Sequence, residues 1–404
     1  MGMVTCLGSG VIANWDAVTA GRSGIGTISL FDASNFLTRI AGEVQGTFDP
    51  MGYVPVKEYR RLDRSQQFAL VAAGECIGDA GLDCPPQEPY RCGIIVGSGM
   101  GGLATIEQGV EVLERKGPRR TPPLMIIMAV INLTPGLLAI KYGFKGHNTG
   151  LVNACASGTS AIGEAFRLVR EGRLDVALAG GTEAVITPLS VASFGALRAL
   201  STRNDEPTKA SRPFDAERDG FVLAEGAGMV LLESLEHAQQ RGARIHGEIV
   251  GYGATDDAFH AVMPDSNGDG AYWAMKLAIE EAGINPSDTG YINAHGTSTD
   301  LNDRIETLAI KRLLGKHAYE VAVSSTKSMT GHLIGAAGAV EAIYCFMAIK
   351  TGIIPPTINL EHPGADCDLD YTPNKAARRA LRYAISNSFA FGGQNASLVF
   401  KSID

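Results

Sequence analysis

Three side chains in this 404-residue chain can do nucleophilic chemistry together. Cys155 lies in NACASGTSAIGEAF (153–166), after the apolar LVNA. The residues that follow it, Ile162, Ala165, Phe166 and Val169, recur at helical spacing up to Gly172. That pattern puts the thiol near a helix N-terminus, where unpaired N–H groups and the helix dipole favour the thiolate, its nucleophilic form. Ala154, Ala156, Ser157 and Gly158 are small and leave room for a substrate. The competing reading is a buried, inert cysteine. His295 closes an apolar run in GYINAHGTST, and His332 opens a Gly- and Ala-rich helical stretch in TKSMTGHLIGAAG. One histidine is more often a satisfied structural residue. Two at the ends of paired strands, matching a cysteine at an equivalent hinge, point to a common seam. A thiolate with two imidazoles suits acyl transfer followed by a second step: a nucleophile, plus N–H donors for charge developing on a carbonyl oxygen. Such imidazoles must stay neutral, which burial favours.

The elements that must hold these residues alternate. β-Strands are expected at 92–99, 175–182, 228–233, 247–253, 290–296, 321–326 and 396–401, and helices at 64–79, 103–115, 270–283 and 333–351. This is an α/β pattern with buried sheets. It also repeats. CGIIVGSGMGG reads like GYINAHGTSTD, and LVNACASGTSAIGEAFRLVREG like VAVSSTKSMTGHLIGAAGAVEAIYCFMAIKTG. FVLAEGAGMVLLE reads like YAISNSFAFGGQNASLVF. The order is the same before and after residue ~240, so an internal duplication is expected, with halves 1–245 and 246–404.

Composition narrows the class. With 45% hydrophobic and 19% charged residues the chain reads as a soluble globular protein, and the apolar run 333–348 is interrupted by Glu341. A net charge of −8 argues against nucleic acid as a bulk partner. The seven cysteines form no CxxC pair, so neither a disulfide framework nor a metal site is expected, and a reducing compartment is. No signal or transit peptide is read at the start.

NACASGTSAIG, NAHGTSTDLND, SSTKSMTGHLIGAAGAVEA and SNSFAFGGQNASLVF, in this order, together resemble the β-ketoacyl-[acyl-carrier-protein] synthases, in their elongating, condensing-enzyme-II branch. The likeness spans essentially the whole chain. It implies the thiolase-like fold, two duplicated α/β halves in a five-layered α-β-α-β-α arrangement, and a homodimer. It implies that Cys155 takes an acyl chain as a thioester, and that malonyl-carrier protein is decarboxylated and condensed with it. His295 and His332 would stabilise the enolate oxygen. No cofactor is implied beyond the phosphopantetheine arm of the acyl carrier protein. A bacterial cytoplasm, or an organelle matrix or stroma, is the implied location, with no membrane insertion.

By the same resemblance Lys327 has an electrostatic role, supported by Glu341, while Asp303 and Glu306 support His295. Phe391 gates the site, and its N–H forms an oxyanion hole with that of Cys155; Gly392 lets the loop reshape. Met100 and Phe194 border the acyl pocket, and Met125 reaches the pocket of a partner subunit. Lys57, Arg60 and Arg61 in KEYRRLDR, with Arg119, Arg120 and Arg198, would dock the acidic carrier protein. The sequence departs from the family at Ala390 (often Gly), Gln394 (often Thr or His) and Val262 (a Thr near the phosphopantetheine arm). The start MGMVTCLGSG enters mid-turn, so part of the first strand is expected to be missing or short. Two other readings remain. A non-catalytic chain-length partner, or a polyketide-type synthase, shares the fold. GSGMGG (97–102) alone would suit a dinucleotide site, but no acidic strand end follows about 20 residues on.

Overall fold

The computed structural model describes residues 1–45, 48, 52–53, 56–59 and 61–403. The first half is built on β1 (Gly2–Thr5), β2 (Gly8–Ser9), β3 (Cys92–Gly97), β4 (Asn148–Leu151), β5 (Val176–Glu183) and β6 (Gly226–Glu233). The second is built on β7 (Glu248–Asp256), β8 (Tyr291–Asn293), β9 (Ala322–Ser324), β10 (Tyr383–Phe389) and β11 (Gln394–Lys401). The sheet orders are β2-β1-β6-β5-β3-β4 and β9-β8-β10-β11-β7. Leaving out the two-residue β2, each half runs first-fifth-fourth-second-third along its sheet. The pairing directions also agree: β1–β6 and β7–β11 are antiparallel, as are β5–β6 and β10–β11, whereas the remaining neighbours are parallel. The expected duplication is therefore present strand by strand. One proposed repeat needs correction. Only the ends of the third pair correspond, β6 with β11, because YAISNSF forms β10, the counterpart of β5. The first strand is short, as expected: β1 has four residues where β7 has nine, and it pairs Gly2 with Met229.

Five layers result. Helix α1 (Arg64–Ala80) covers the outer face of the first sheet; Asp63 caps it by accepting from Ser65 N at 2.9 Å, and Gly81, at φ 59°, ends it. Two helices fill the seam between the sheets: α2 (Ser157–Arg170) and α3 (Ala337–Thr351). Outside the second sheet lie Asp269–Ala282 and Asp300–Leu314. Helix α3 is apolar apart from Glu341 and buried from Ala337 to Ile349, as a helix between two sheets must be. Ile334–Thr351 is long and apolar enough to cross a membrane, but 89% of it is buried inside the protein. Small residues permit this closeness. A Cβ on Gly228 of β6 would come within 2.8 Å of the α3 backbone at Ala339 and Val340.

Candidate active site

Both seam helices start from the same device. A single 3₁₀ turn precedes each, Ala154–Ala156 before α2 and Ile334–Ala336 before α3. The first residue of each turn is a non-glycine in the left-handed region, Ala154 at φ 44° and Ile334 at φ 47°. Such backbone is costly for an L-residue and persists only where the surroundings impose it. The Ser157 hydroxyl donates to Ala154 O (2.7 Å) and accepts from Asn153 N (2.9 Å), which fixes the first turn. The middle residue of that turn is Cys155, buried at 6% exposure. Burial pushes its thiol up to about 12, against the pull of the Lys327 charge and of the N–H groups of Phe391 and Cys155 itself. The thiolate preference expected from the helix start is thus outweighed at rest. Both N–H groups expected to form the oxyanion hole, those of Phe391 and Cys155, act on the thiol.

His295 lies two residues past the end of β8. Its backbone N–H and that of Gly296 each donate to one oxygen of Glu306, both at 2.8 Å, and the Asn387 amide adds a third donor at 3.2 Å. Burial pushes Glu306 up to about 7 against these donors. Asp303 accepts from Phe214 N at 2.8 Å and lies 3.7 Å from Arg218, so it braces the neighbouring loop rather than the ring of His295. His332 is pinned through its backbone: its N–H donates to Val222 O at 2.7 Å. The two imidazoles meet edge to face, with centroids 5.4 Å apart at 84°. Phe389 packs against His295 and Phe221 against His332. Both rings are 2% exposed, and neither Nδ1 has a protein partner. Burial holds both well below 6.5, and the Lys327 charge pushes the same way. They are neutral at pH 7, as N–H donors to an oxyanion require.

Lys327 is fully buried and its Nζ lies 2.5 Å from Glu341 Oε1. Burial raises Glu341 to about 7, and the lysine opposes that shift. One cation therefore acts on the thiol and on both imidazoles. Cys155, His295, His332, Ala390 and Phe391 share a cavity of about 370 Å³, with Thr297, Thr299 and Val262 further along its wall. Phe391 stacks on Phe194 with centroids 6.5 Å apart. Gly392 and Gly393, at φ 90° and 81°, turn the chain behind it.

The other expected residues are more dispersed. Met100 is 38% exposed and not on the cavity wall, and Met125 packs at Gly109 of the helix Leu103–Lys116. Arg198 is exposed and lines the cavity; Lys57, Arg61, Arg119 and Arg120 are exposed elsewhere, and Arg60 falls outside the described residues. Two residues went unnoticed in the sequence. Arg218 donates to Thr299 O (3.1 Å) and to Asp300 (2.9 Å), and so shapes the wall that carries Thr297 and Thr299. Glu183 ends β5 with no exposure at all. Its signal was a charge at the end of an apolar strand.

A buried thiol and two neutral imidazoles at the seam of a duplicated, thiolase-like fold define a condensing enzyme. The Beta-ketoacyl synthase N-terminal domain matches residues 1–238 and the C-terminal domain residues 246–361; the chain belongs to the β-ketoacyl synthase family. It is 49% identical over 401 residues to 3-oxoacyl-[acyl-carrier-protein] synthase 2 of Synechocystis sp., covering 99% of this chain and 96% of that one. The Coxiella burnetii protein of the same name is 47% identical, covering 100% and 97%. Among solved structures, a β-ketoacyl synthase from Burkholderia phymatum superposes with a TM-score of 0.91 at 34% identity, covering 100% and 98%. A type II PKS ketosynthase, in complex with its acyl-carrier protein, gives the same TM-score, identity and coverage.

Proposed function

We propose that this chain catalyses the decarboxylative Claisen condensation of malonyl-acyl carrier protein with an acyl chain held on Cys155, giving a 3-oxoacyl chain two carbons longer. One observation carries this: the Cys155 thiol, the Phe391 and Cys155 N–H groups and two neutral imidazoles converge on one cavity. In the first step Sγ attacks the carbonyl of acyl-carrier protein, the oxyanion takes the two N–H donors, and the carrier thiol leaves with the proton. In the second, malonyl-carrier protein loses CO2, and its enolate oxygen is held by N–H groups of His295 and His332. The enolate carbon attacks the Cys155 thioester, and Cys155 leaves as a thiolate that takes a proton from solvent. Lys327 supplies field rather than a proton; Glu341 holds Lys327, Glu306 holds the backbone of His295, and Asp303 braces the Phe214 loop. The reaction so assigned calls for no metal or cofactor resident in the enzyme.

The carrier protein is the proposed partner, docked by Lys57, Arg61, Arg119, Arg120 and Arg198. A homodimer is supported by β4, which is paired on one side only. Exposed apolar side chains flank it, among them Val152 (51%) and Ile140 (83%). Seven unpaired thiols suit the reducing cytoplasm or organelle matrix proposed for it. A chain-length partner without catalysis is disfavoured by the intact trio of Cys155, His295 and His332. Incubation with a medium-chain acyl-carrier protein, followed by intact mass measurement, tests the reading. One acyl adduct is expected, absent in Cys155→Ala; no adduct with any chain length would overturn it.

A further inference from the structure

The loops that follow the equivalent strands β3 and β8 are each held by a buried carboxylate on two successive backbone N–H groups. In the second half that carboxylate is Glu306, from an outer helix. In the first it is Glu183, whose Oε2 accepts from Gly99 N at 2.6 Å and Oε1 from Met100 N at 3.2 Å. Glu183 does more than its counterpart. Oε1 also accepts from Ser98 Oγ at 3.0 Å, and Oε2 reaches across the seam to Gly335 N at 2.9 Å. Gly335 occupies, in the turn before α3, the place that Cys155 occupies before α2. The N–H equivalent to the one beside the thiol is therefore taken up by an internal carboxylate. Gly99 lies in the same packing, because a Cβ there would come within 2.9 Å of Ile334 and 3.6 Å of Ala154 O. One side chain with no solvent exposure joins the Ser98–Met100 loop to the turn that begins two residues after His332.

We infer that Glu183 is a positioning residue for the condensation: its carboxylate fills the second half's copy of the oxyanion-binding turn, clamps that turn to the Ser98–Met100 loop, and fixes His332 relative to Cys155. Three backbone N–H donors and a hydroxyl favour the carboxylate, against the burial that pushes Glu183 up to about 7. The charge also reaches the thiol, whose proton it helps retain. The groups acting on Cys155 are then Lys327 and the backbone N–H groups on one side and Glu183 on the other, with His295 and His332 neutral between them.

This inference rests on Cys155 being the acyl acceptor, and the test keeps the two apart. In Glu183→Gln the amide NH2 must face at least one of the four donors, and the negative charge is gone. The rate of Cys155 alkylation by iodoacetamide is measured against pH, beside acylation and single-turnover condensation, at a temperature well below the melting point of each protein. The expected result is an alkylation midpoint lower by about one pH unit and condensation slowed roughly tenfold. A variant with lowered melting temperature but the wild-type midpoint and condensation rate would reduce Glu183 to a structural residue and overturn the inference. If Glu183→Gln does not fold, Glu183→Asp is read instead. Slowed condensation with the wild-type midpoint supports the inference, and a shifted midpoint or undiminished condensation overturns it. Wild-type protein that takes no acyl chain would instead sink the functional reading.

Discussion

The two halves of this molecule start their seam helices from the same strained turn, yet only one copy presents a nucleophile. In the first half, two residues separate β4 from the turn, and the middle residue is Cys155, facing a cavity. In the second, the nine residues 325–333 intervene between β9 and the turn, and the middle residue is Gly335. That inserted segment carries Lys327 and His332. Gly335 could not be a nucleophile: a Cβ there would collide with the Gly99 amide nitrogen and lie 2.7 Å from Glu183 Oε2. Duplication thus supplied two equal scaffolds, and one half provides the thiol while the other provides the charge and the imidazoles. The lesson is that symmetry survives in the strands, and the function sits where it breaks.

The largest effect should come from removing the imidazoles that only the second half carries. His295→Ala and His332→Ala are each expected to slow malonyl decarboxylation by about 10²- to 10⁴-fold while Cys155 still takes up an acyl chain. Loss of acylation in both would break the division of labour between halves. Next is the silent turn itself. Gly335→Ala should cost about 1–3 kcal/mol from overpacking, read as a lower midpoint in urea; a wild-type midpoint would show that the tie through Glu183 gives way freely. The neutral imidazoles set a smaller, sharper signal. Because His295 and His332 lie well below 6.5 in the folded protein, their protonation should lower the decarboxylation rate only below about 6.5; a step near 7 that disappears in Glu306→Gln or Glu341→Gln belongs to those carboxylates. A midpoint at the ordinary histidine value would mean that the rings are less desolvated than the fold makes them. Smallest is the surface. Lys57→Glu with Arg61→Glu should raise KM for the carrier protein by a factor of about 3–10, with kcat unchanged; an unchanged KM at low salt would move docking elsewhere.

Much of this was legible in the chain. Cys155, His295 and His332 carry chemistry in their side chains, and short motifs around them repeat between halves. The alternation of strands and helices located every main strand except β1, β4 and β10; β1 and β4 have four residues each, too few to show a period. Other features were hidden for physical reasons. Glu183 acts through backbone N–H groups of Gly99, Met100 and Gly335, and a backbone donor leaves no mark in residue type. The resting state of the thiol was misjudged because helix-start geometry is local, whereas the burial that raises Cys155 comes from both halves at once. The third repeat was misaligned because β10 and β11 form a hairpin, while their counterparts β5 and β6 are separated by forty-two residues, 184–225.

The all-round burial of α3 sets a timetable for making the protein. On the inner face of the first sheet α2 covers β3 and β5, but the part over β6 is covered mainly by α3, a helix that lies roughly a hundred residues beyond the end of that half. At ordinary translation speeds of about 5–20 residues per second, a nascent first half waits about 5–20 s with that part open. During that interval the strip over β6 resembles a binding site for another chain's apolar helix.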